Sequence, residues 1–217
     1  VVLVEDITER RAAEAKIEHL ACYDTLTQLP NRMSFQHQFD AVLTKGRADR
    51  TFAVHFIDLD QFKKVNDTLG HAYGDALLVA VANRLREVVP NEDHIARFGG
   101  DEFVVIQPVP RNGVEAAGEQ AARIIDRLSE VFRIDEHEIA IGASIGIAVA
   151  PGDGSKFDDL LKCADMALYV AKADGRGCWR FFEPDMGVRA QARRTLELEI
   201  RDALADGARL TALPRQT

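Results

Sequence analysis

Apolar and polar positions follow two periods along the chain, and the switches between them mark the elements. Phe52 to Leu59 is a compact apolar run with β-branched and aromatic residues, which predicts a strand buried on both faces. From Asp75 to Val89 the apolar residues Leu77, Leu78, Val81, Leu85 and Val88 recur at helical spacing until Pro90 stops them. Ile95 to Phe98 and Phe103 to Gln107 are short strand-like runs on either side of Gly99-Gly100, a hairpin signal. Further helices are predicted over Ser34 to Lys45, Val114 to Phe132 and Phe157 to Ala173, and a strand over Ile139 to Val149. Helices alternating with strands, one hairpin included, predict an α/β fold with a mixed sheet flanked by helices.

The two ends read differently. Val1 to Val4 is a β-branched run, and Asp6 and Thr8 offer capping chemistry ahead of an Ala/Glu/Arg-rich helix from Glu9 to Ala21. Leu3 and Ile17, and Ala13 and Leu20, lie whole heptads apart, but Arg10 and Asp6 interrupt the rows, so this linker helix offers a weak coiled-coil seam or a solvated connection. Residues 189 to 205 form a charged helical pattern with Leu196, Ile200 and Leu204 on one face. The chain opens without Met or a leader and reads as a fragment.

Composition narrows the classes. Hydrophobic residues make up 47% and charged residues 29% of the 217 positions, the balance of an ordinary folded chain. Lys and Arg number 27 against 35 Asp and Glu, a formal charge of -8, which argues against nucleic-acid binding and means that any anionic substrate is held locally. The longest run without charge or His, Ile139 to Gly152, is broken by Gly, Ser and Pro and falls short of the roughly 18 residues of a membrane span. Cys22, Cys163 and Cys178 show no disulfide or zinc pattern, so a reducing cytoplasm is the expected location.

Candidate chemistry gathers at strand ends, where open α/β sheets bind ligands. Asp58 and Asp60 flank Leu59, and alternation sends both carboxylates to one face, a donor set that suits Mg²⁺; loop capping is the alternative. Gly99-Gly100-Asp101-Glu102 sets two adjacent acids in a turn whose glycines permit a ligand to come close, and a cation relieves the repulsion between them. Asp58 with Asp101 would make a two-carboxylate metal site. Asn66 and Asp75 together match a guanine edge, although Asp75 also suits helix capping. Lys172 and Arg176, around Asp174-Gly175, offer two cations to a polyphosphate or simply close a helix. His71, a lone imidazole, reads as structural.

Arg97-Phe98-Gly99-Gly100-Asp101-Glu102-Phe103 resembles the signature of GGDEF-domain diguanylate cyclases. The resemblance extends through Asp24-x-Leu26-Thr27-x-Leu29-Pro30-Asn31-Arg32, Asp58-Leu59-Asp60-x-Phe62-Lys63-x-x-Asn66-Asp67, Gly70-His71-x-x-Gly74-Asp75 and Ala171-Lys172-x-x-Gly175-Arg176, in the family's order, over about residues 22 to 183. It implies a nucleotidyl cyclase palm fold and the conversion of two GTP into cyclic di-GMP and two pyrophosphates across a homodimer. By the same resemblance Asp58, Asp101 and the Leu59 carbonyl bind Mg²⁺ or Mn²⁺, and Asp101 assists deprotonation of the 3′-hydroxyl. Glu102 lies at the nucleotide and metal, Asn66 and Asp75 read guanine, and Lys172, Arg176 and nearby Lys63 hold phosphates beside Gly99 and Gly100.

Two departures from the family pattern stand out. Pro90 occupies the Arg position of the family's Arg-x-x-Asp product-inhibition site, of which Asp93 remains, so that site is expected to be lost. Gly177 stands where Asn usually follows the arginine. Residues 1–21 resemble the end of a PAS sensor with its linker, and residues 184–217 resemble the lead-in to an EAL phosphodiesterase domain, although no Glu-Ala-Leu motif follows. The alternative to an active cyclase is a silent GTP-binding module that regulates such a downstream domain.

Overall fold

The computed structural model describes residues 20–45, 51–90, 94–110 and 114–187. In chain order the elements are α1 (Arg32–Lys45), β1 (Thr51–Asp60), α2 (Phe62–Leu69), α3 (His71–Val88), β2 (Ile95–Gly99), β3 (Glu102–Val109), α4 (Val114–Ser129), β4 (Phe132–Ile134), β5 (His137–Ile139), β6 (Gly142–Ala150), α5 (Phe157–Ala173) and β7 (Trp179–Phe181). The main sheet runs β2-β3-β1-β6-β7. Its first three pairings are antiparallel and β6 with β7 is parallel, so the sheet is mixed, as expected.

β1 lies in the middle because its residues are apolar in both directions. Ala53, Ile57 and Leu59 enter the cluster built with Leu77, Val81 and Leu85 of α3 and Ala117, Ala121 and Ile124 of α4. Phe52, Val54 and Phe56 enter the opposite cluster, with Phe35 and Phe39 of α1 and Phe157, Leu160 and Leu168 of α5. Contacts divide the chain into a unit ending at Phe182 and a second from Glu183 onward. The sensor-like start and most of the linker helix, residues 1–19, lie outside the described residues, as does the tail helix expected from 189 to 205. Among the described residues no helix is long and apolar enough to cross a membrane.

Several boundaries differ from the pattern reading for local reasons. Phe62, Val65 and Leu69 are a helical stripe too short to stand out, and they form α2. Gly70, at φ 90°, closes α2 and opens α3 at once, so the helix begins at His71, ahead of Asp75. α4 ends at Ser129, and Phe132 instead starts a second hairpin whose turn places Asp135 at φ 51°. The expected strand from Ile139 to Val149 is split between β5 and β6, and β7, with three residues, carries too little periodicity to be read.

α5 packs on β6 with almost nothing between them. A Cβ at Gly146 would stand 1.9 Å from the Ala164 carbonyl oxygen and 2.3 Å from the Leu168 backbone nitrogen. Gly146→Ala is therefore expected to cost about 3 kcal/mol or more in urea unfolding, since the obstructing atoms are helix backbone and cannot turn aside.

His55 on β1 is fully buried; its Nε2 lies 3.0 Å from Gln107 Oε1 and its Nδ1 has no partner. Burial pushes its pKa down to about 4, against a contrary pull from Gln107. The unfolded chain takes up a proton near pH 6.5 and the folded chain resists until about 4, so stability falls as pH falls through that window. A difference of about 3 kcal/mol is expected between unfolding at pH 7 and pH 4, and it should shrink in His55→Gln relative to the unsubstituted chain.

Candidate active site

The end of β1 and the β2–β3 hairpin are stitched together by backbone. Asp58 pairs with Glu102 in the β1–β3 register, and the Leu59 N–H donates to the Asp101 carbonyl at 3.3 Å. The turn between β2 and β3 needs its glycines: Gly99 and Gly100 have φ of 141° and 52°, and the register shifts between Arg97 and Gly99. Asp58, Asp101 and Glu102 are each half-buried at this one edge.

The proton affinities of Asp58 and Glu102 are raised. For Asp58 burial is the largest cause, with repulsion from Asp101 and Asp60 acting in the same direction and Lys172 opposing. For Glu102 burial again leads, followed by Asp58, Asp101 and Asp165. The partial answer to this charge is Lys172 at the end of α5, whose Nζ stands 2.7 Å from Asp58 Oδ2. Lys172, expected at a phosphate, thus also neutralises an expected metal carboxylate.

Asp60, next but one to Asp58 on the same strand face, does something else. It is buried; its Oδ1 accepts the Ser144 hydroxyl at 2.8 Å and its Oδ2 accepts the Gly177 N–H at 2.9 Å. Gly177 has φ 61°, a conformation that Gly and Asn both tolerate, and it offers Asp60 its backbone rather than a side chain. The departure from the usual Asn therefore leaves this contact intact. Arg176, exposed and at φ 66°, places Nε 4.0 Å from Asp60 Oδ1.

Asn66 on α2 meets the first turn of α3 so closely that a Cβ at Gly74 would stand 1.9 Å from its Oδ1. This brings Asn66 beside the exposed Asp75, one residue further along, while Lys63 is exposed in the first turn of α2. Pro90 follows α3, and Asp93 lies outside the described residues.

Two residues that the sequence offered only as motif letters hold the hairpin in place. Arg97 donates from Nε and Nη2 to the Gly100 carbonyl at 3.1 and 2.8 Å, and from Nη1 to Asp24 Oδ1 at 2.8 Å. The same oxygen of Asp24 accepts the backbone N–H and the hydroxyl of Thr27. Burial would raise the Asp24 pKa, but the hydrogen bonds from Thr27 and Arg97 outweigh it and hold the carboxyl below its ordinary value. Reading a local Asx-type turn at Asp24-x-x-Thr27 could have found half of this clamp.

The donor chemistry at this edge fits a divalent cation. Among the described residues no three His, Cys, Asp or Glu side chains already stand at metal-binding separation. Mg²⁺, however, usually takes one or two protein carboxylates and completes its shell with water and phosphate. Asp58 and Asp101 supply that number as hard oxygen donors, and the crowding that raises the Asp58 carboxyl is what a cation relieves.

A family model described as the GGDEF domain of diguanylate cyclases matches residues 21–178. A Pseudomonas aeruginosa protein named bifunctional diguanylate cyclase/cyclic di-GMP phosphodiesterase MucR is 44% identical over 91% of this chain and 29% of its own length. A second protein of that organism, named cyclic di-GMP phosphodiesterase NbdA, is 38% identical over 89% of this chain and 25% of its own. The chain thus spans less than a third of these curated relatives. The solved GGDEF domain of the P. aeruginosa protein called TpbB or YfiN superposes with a TM-score of 0.73, at 37% identity, over 78% of this chain and 99% of that one.

Removing the clamp tests its weight. Arg97→Ala is expected to cost about 2 kcal/mol in urea unfolding, since it strips a charged partner from a half-buried carboxylate and from the hairpin carbonyl. The loss should shrink on acidification below the ordinary carboxylate range: the lowered Asp24 pKa adds stability that is present above 3.8 and disappears as pH falls through the folded value.

Proposed function

Because this chain belongs to the GGDEF domain family, we propose that it is a diguanylate cyclase, condensing two GTP into cyclic di-GMP and two pyrophosphates with two such domains face to face. The observation that carries the reading is the charge arrangement at the β1–β3 edge, where Asp58, Asp101 and Glu102 crowd together against the ammonium of Lys172. Such a cluster is short of positive charge, and a divalent cation together with a nucleotide polyphosphate balances it.

In this reading Asp58, Asp101 and the Leu59 carbonyl hold Mg²⁺ or Mn²⁺, which supplies Lewis-acid stabilisation of charge on phosphoryl oxygens. Asp101 assists deprotonation of the attacking 3′-hydroxyl, and Glu102 stands at the nucleotide. Asn66 and Asp75 meet the guanine edge. Lys172 and Arg176, with Lys63, take the phosphates, and Gly99 and Gly100 let the nucleotide approach the turn without a side chain in the way. With Asp58 engaged by a metal, Lys172, now 2.7 Å from that carboxylate, would be available to the phosphates. Residues 22–183 are assigned this role, in the cytoplasm where GTP is found, with residues 1–21 and 184–217 joining it to sensor-like and EAL-like domains. The Pro90 substitution removes the cation that a product-inhibition site would need.

A second reading is favoured by the relatives that are named phosphodiesterases: a domain that binds GTP without turnover and regulates a neighbouring domain. Turnover separates the two. Incubation of the purified chain with GTP and Mg²⁺ is expected to yield cyclic di-GMP by mass, and Asp101→Asn and Asp58→Asn should each reduce it at least about 100-fold with thermal unfolding little changed. GTP binding without product in the unsubstituted chain would select the regulatory reading, and near-native rates in either variant would remove that residue from the site.

A further inference from the structure

We propose that Asp60 is a positioning residue for the terminal phosphates of a nucleoside triphosphate, acting through Arg176, and is not a metal ligand. The proposal rests on the reading of Arg176 as a phosphate-binding residue and adds to it the device that holds the arginine in place.

Asp60 is 7% exposed, and each of its oxygens is taken by a protein donor: Oδ1 by the Ser144 hydroxyl from β6 and Oδ2 by the Gly177 N–H from the turn after α5. Buried and hydrogen-bonded through both oxygens, the carboxylate is satisfied by the protein without a cation. Its carboxylate also crowds Gly142, where a Cβ would stand 3.1 Å from Oδ2. The side chain is wedged between two strands and a loop.

The loop that it grips holds one non-glycine residue, Arg176, in an unfavourable conformation. Gly175, Arg176 and Gly177 have φ of 117°, 66° and 61°, three successive residues with positive φ, one of them carrying a full side chain. Such a conformation persists where the surroundings over-determine it. Two fixed bonds do so here: the Arg176 N–H donates to the Ala171 carbonyl at 3.2 Å, and the next N–H, of Gly177, donates to Asp60. At 4.0 Å, the Arg176 Nε is drawn toward the carboxylate without a hydrogen bond to it.

Asp60, Gln61, Lys64, Gly142, Arg176 and Gly177 line a cavity of about 370 Å³. Gln61, at φ 62°, is a second non-glycine residue in the left-handed region on its wall. With Lys64 and Arg176 as its cations and its carboxylate hydrogen-bonded to protein donors, the cavity has the room and the charge for a phosphate-bearing anion.

The test compares binding of an α,β-methylene GTP analogue with binding of GMP, in the whole chain with Mg²⁺, by calorimetry. Asp60→Ala is expected to weaken the analogue about 10-fold and leave GMP unchanged, Arg176→Ala to weaken the analogue at least as much, and the double variant to be no worse than Arg176→Ala alone. Asp60→Asn retains an acceptor for Gly177 and can donate to the Ser144 oxygen, so it should stay within about 3-fold of the unsubstituted chain, with an unchanged Mg²⁺ midpoint. Ser144→Ala, which leaves the carboxylate in place, should weaken the analogue about 3-fold and spare GMP, and it carries the test if Asp60→Ala does not fold. Additive losses in the double variant, an equal loss for GMP, or a raised Mg²⁺ midpoint in Asp60→Asn would overturn the proposal. Undiminished analogue binding in Arg176→Ala would overturn the parent assignment of Arg176 and this proposal with it, whatever the Asp60 variants do.

Discussion

Everything at the site depends on the register in which β1 is paired on both sides. β3 and β6 each run antiparallel to it, setting Asp58 opposite Glu102 on one flank and opposite Ser144 on the other. Side chains alternate with a period of two, so a slip of one residue would turn Asp58 and Asp60 toward the α3–α4 side and expose the wrong half of an apolar strand. The two packed faces of β1 forbid that slip. Burial of Phe52, Val54 and Phe56 on one side and of Ala53, Ile57 and Leu59 on the other thereby fixes where three carboxylates stand.

Two acids two residues apart on this strand have been put to opposite uses. Asp58 is half-exposed, crowded by other carboxylates and answered by the ammonium of Lys172. Asp60 is buried and satisfied by donors that cannot move far. The first arrangement leaves an electrostatic demand that a small cation can meet; the second meets its own. With a formal charge of -8 the chain has no long-range attraction for a polyphosphate, and at physiological salt charges beyond about 8 Å are screened. The discrimination between these neighbouring carboxylates is therefore made by the few groups within contact distance.

The same contrast shows what could be read from the sequence. The central strand, the hairpin and α5 were legible because long apolar runs and paired glycines carry strong local signals, and the motif residues pointed to one strand end. Asp60 was not separable from Asp58, since the Ser144 hydroxyl and the Gly177 N–H that claim it lie 84 and 117 positions away. Pairing at that distance leaves no mark in a local window. α2, β4 and β7 were missed for a different reason: eight residues or three give too few apolar positions to establish a period. The role of Arg97 needed the loop at Asp24 to fold back over the hairpin, which nothing in either stretch announces alone.

The bare contact at Gly146 gives this unit the mechanics of a fixed jaw. A helix normally rests on a sheet through side chains, which can change rotamer and let it slide by an ångström or so. α5 meets β6 with helix backbone lying directly against the strand, so there is no deformable layer at that point. Lys172 and the turn after it hang from the end of that helix. Their coordinates are inherited from the sheet, and a ligand that bound there would meet spacing set when the chain folded, its binding free energy going into contacts and not into drawing the helix toward it.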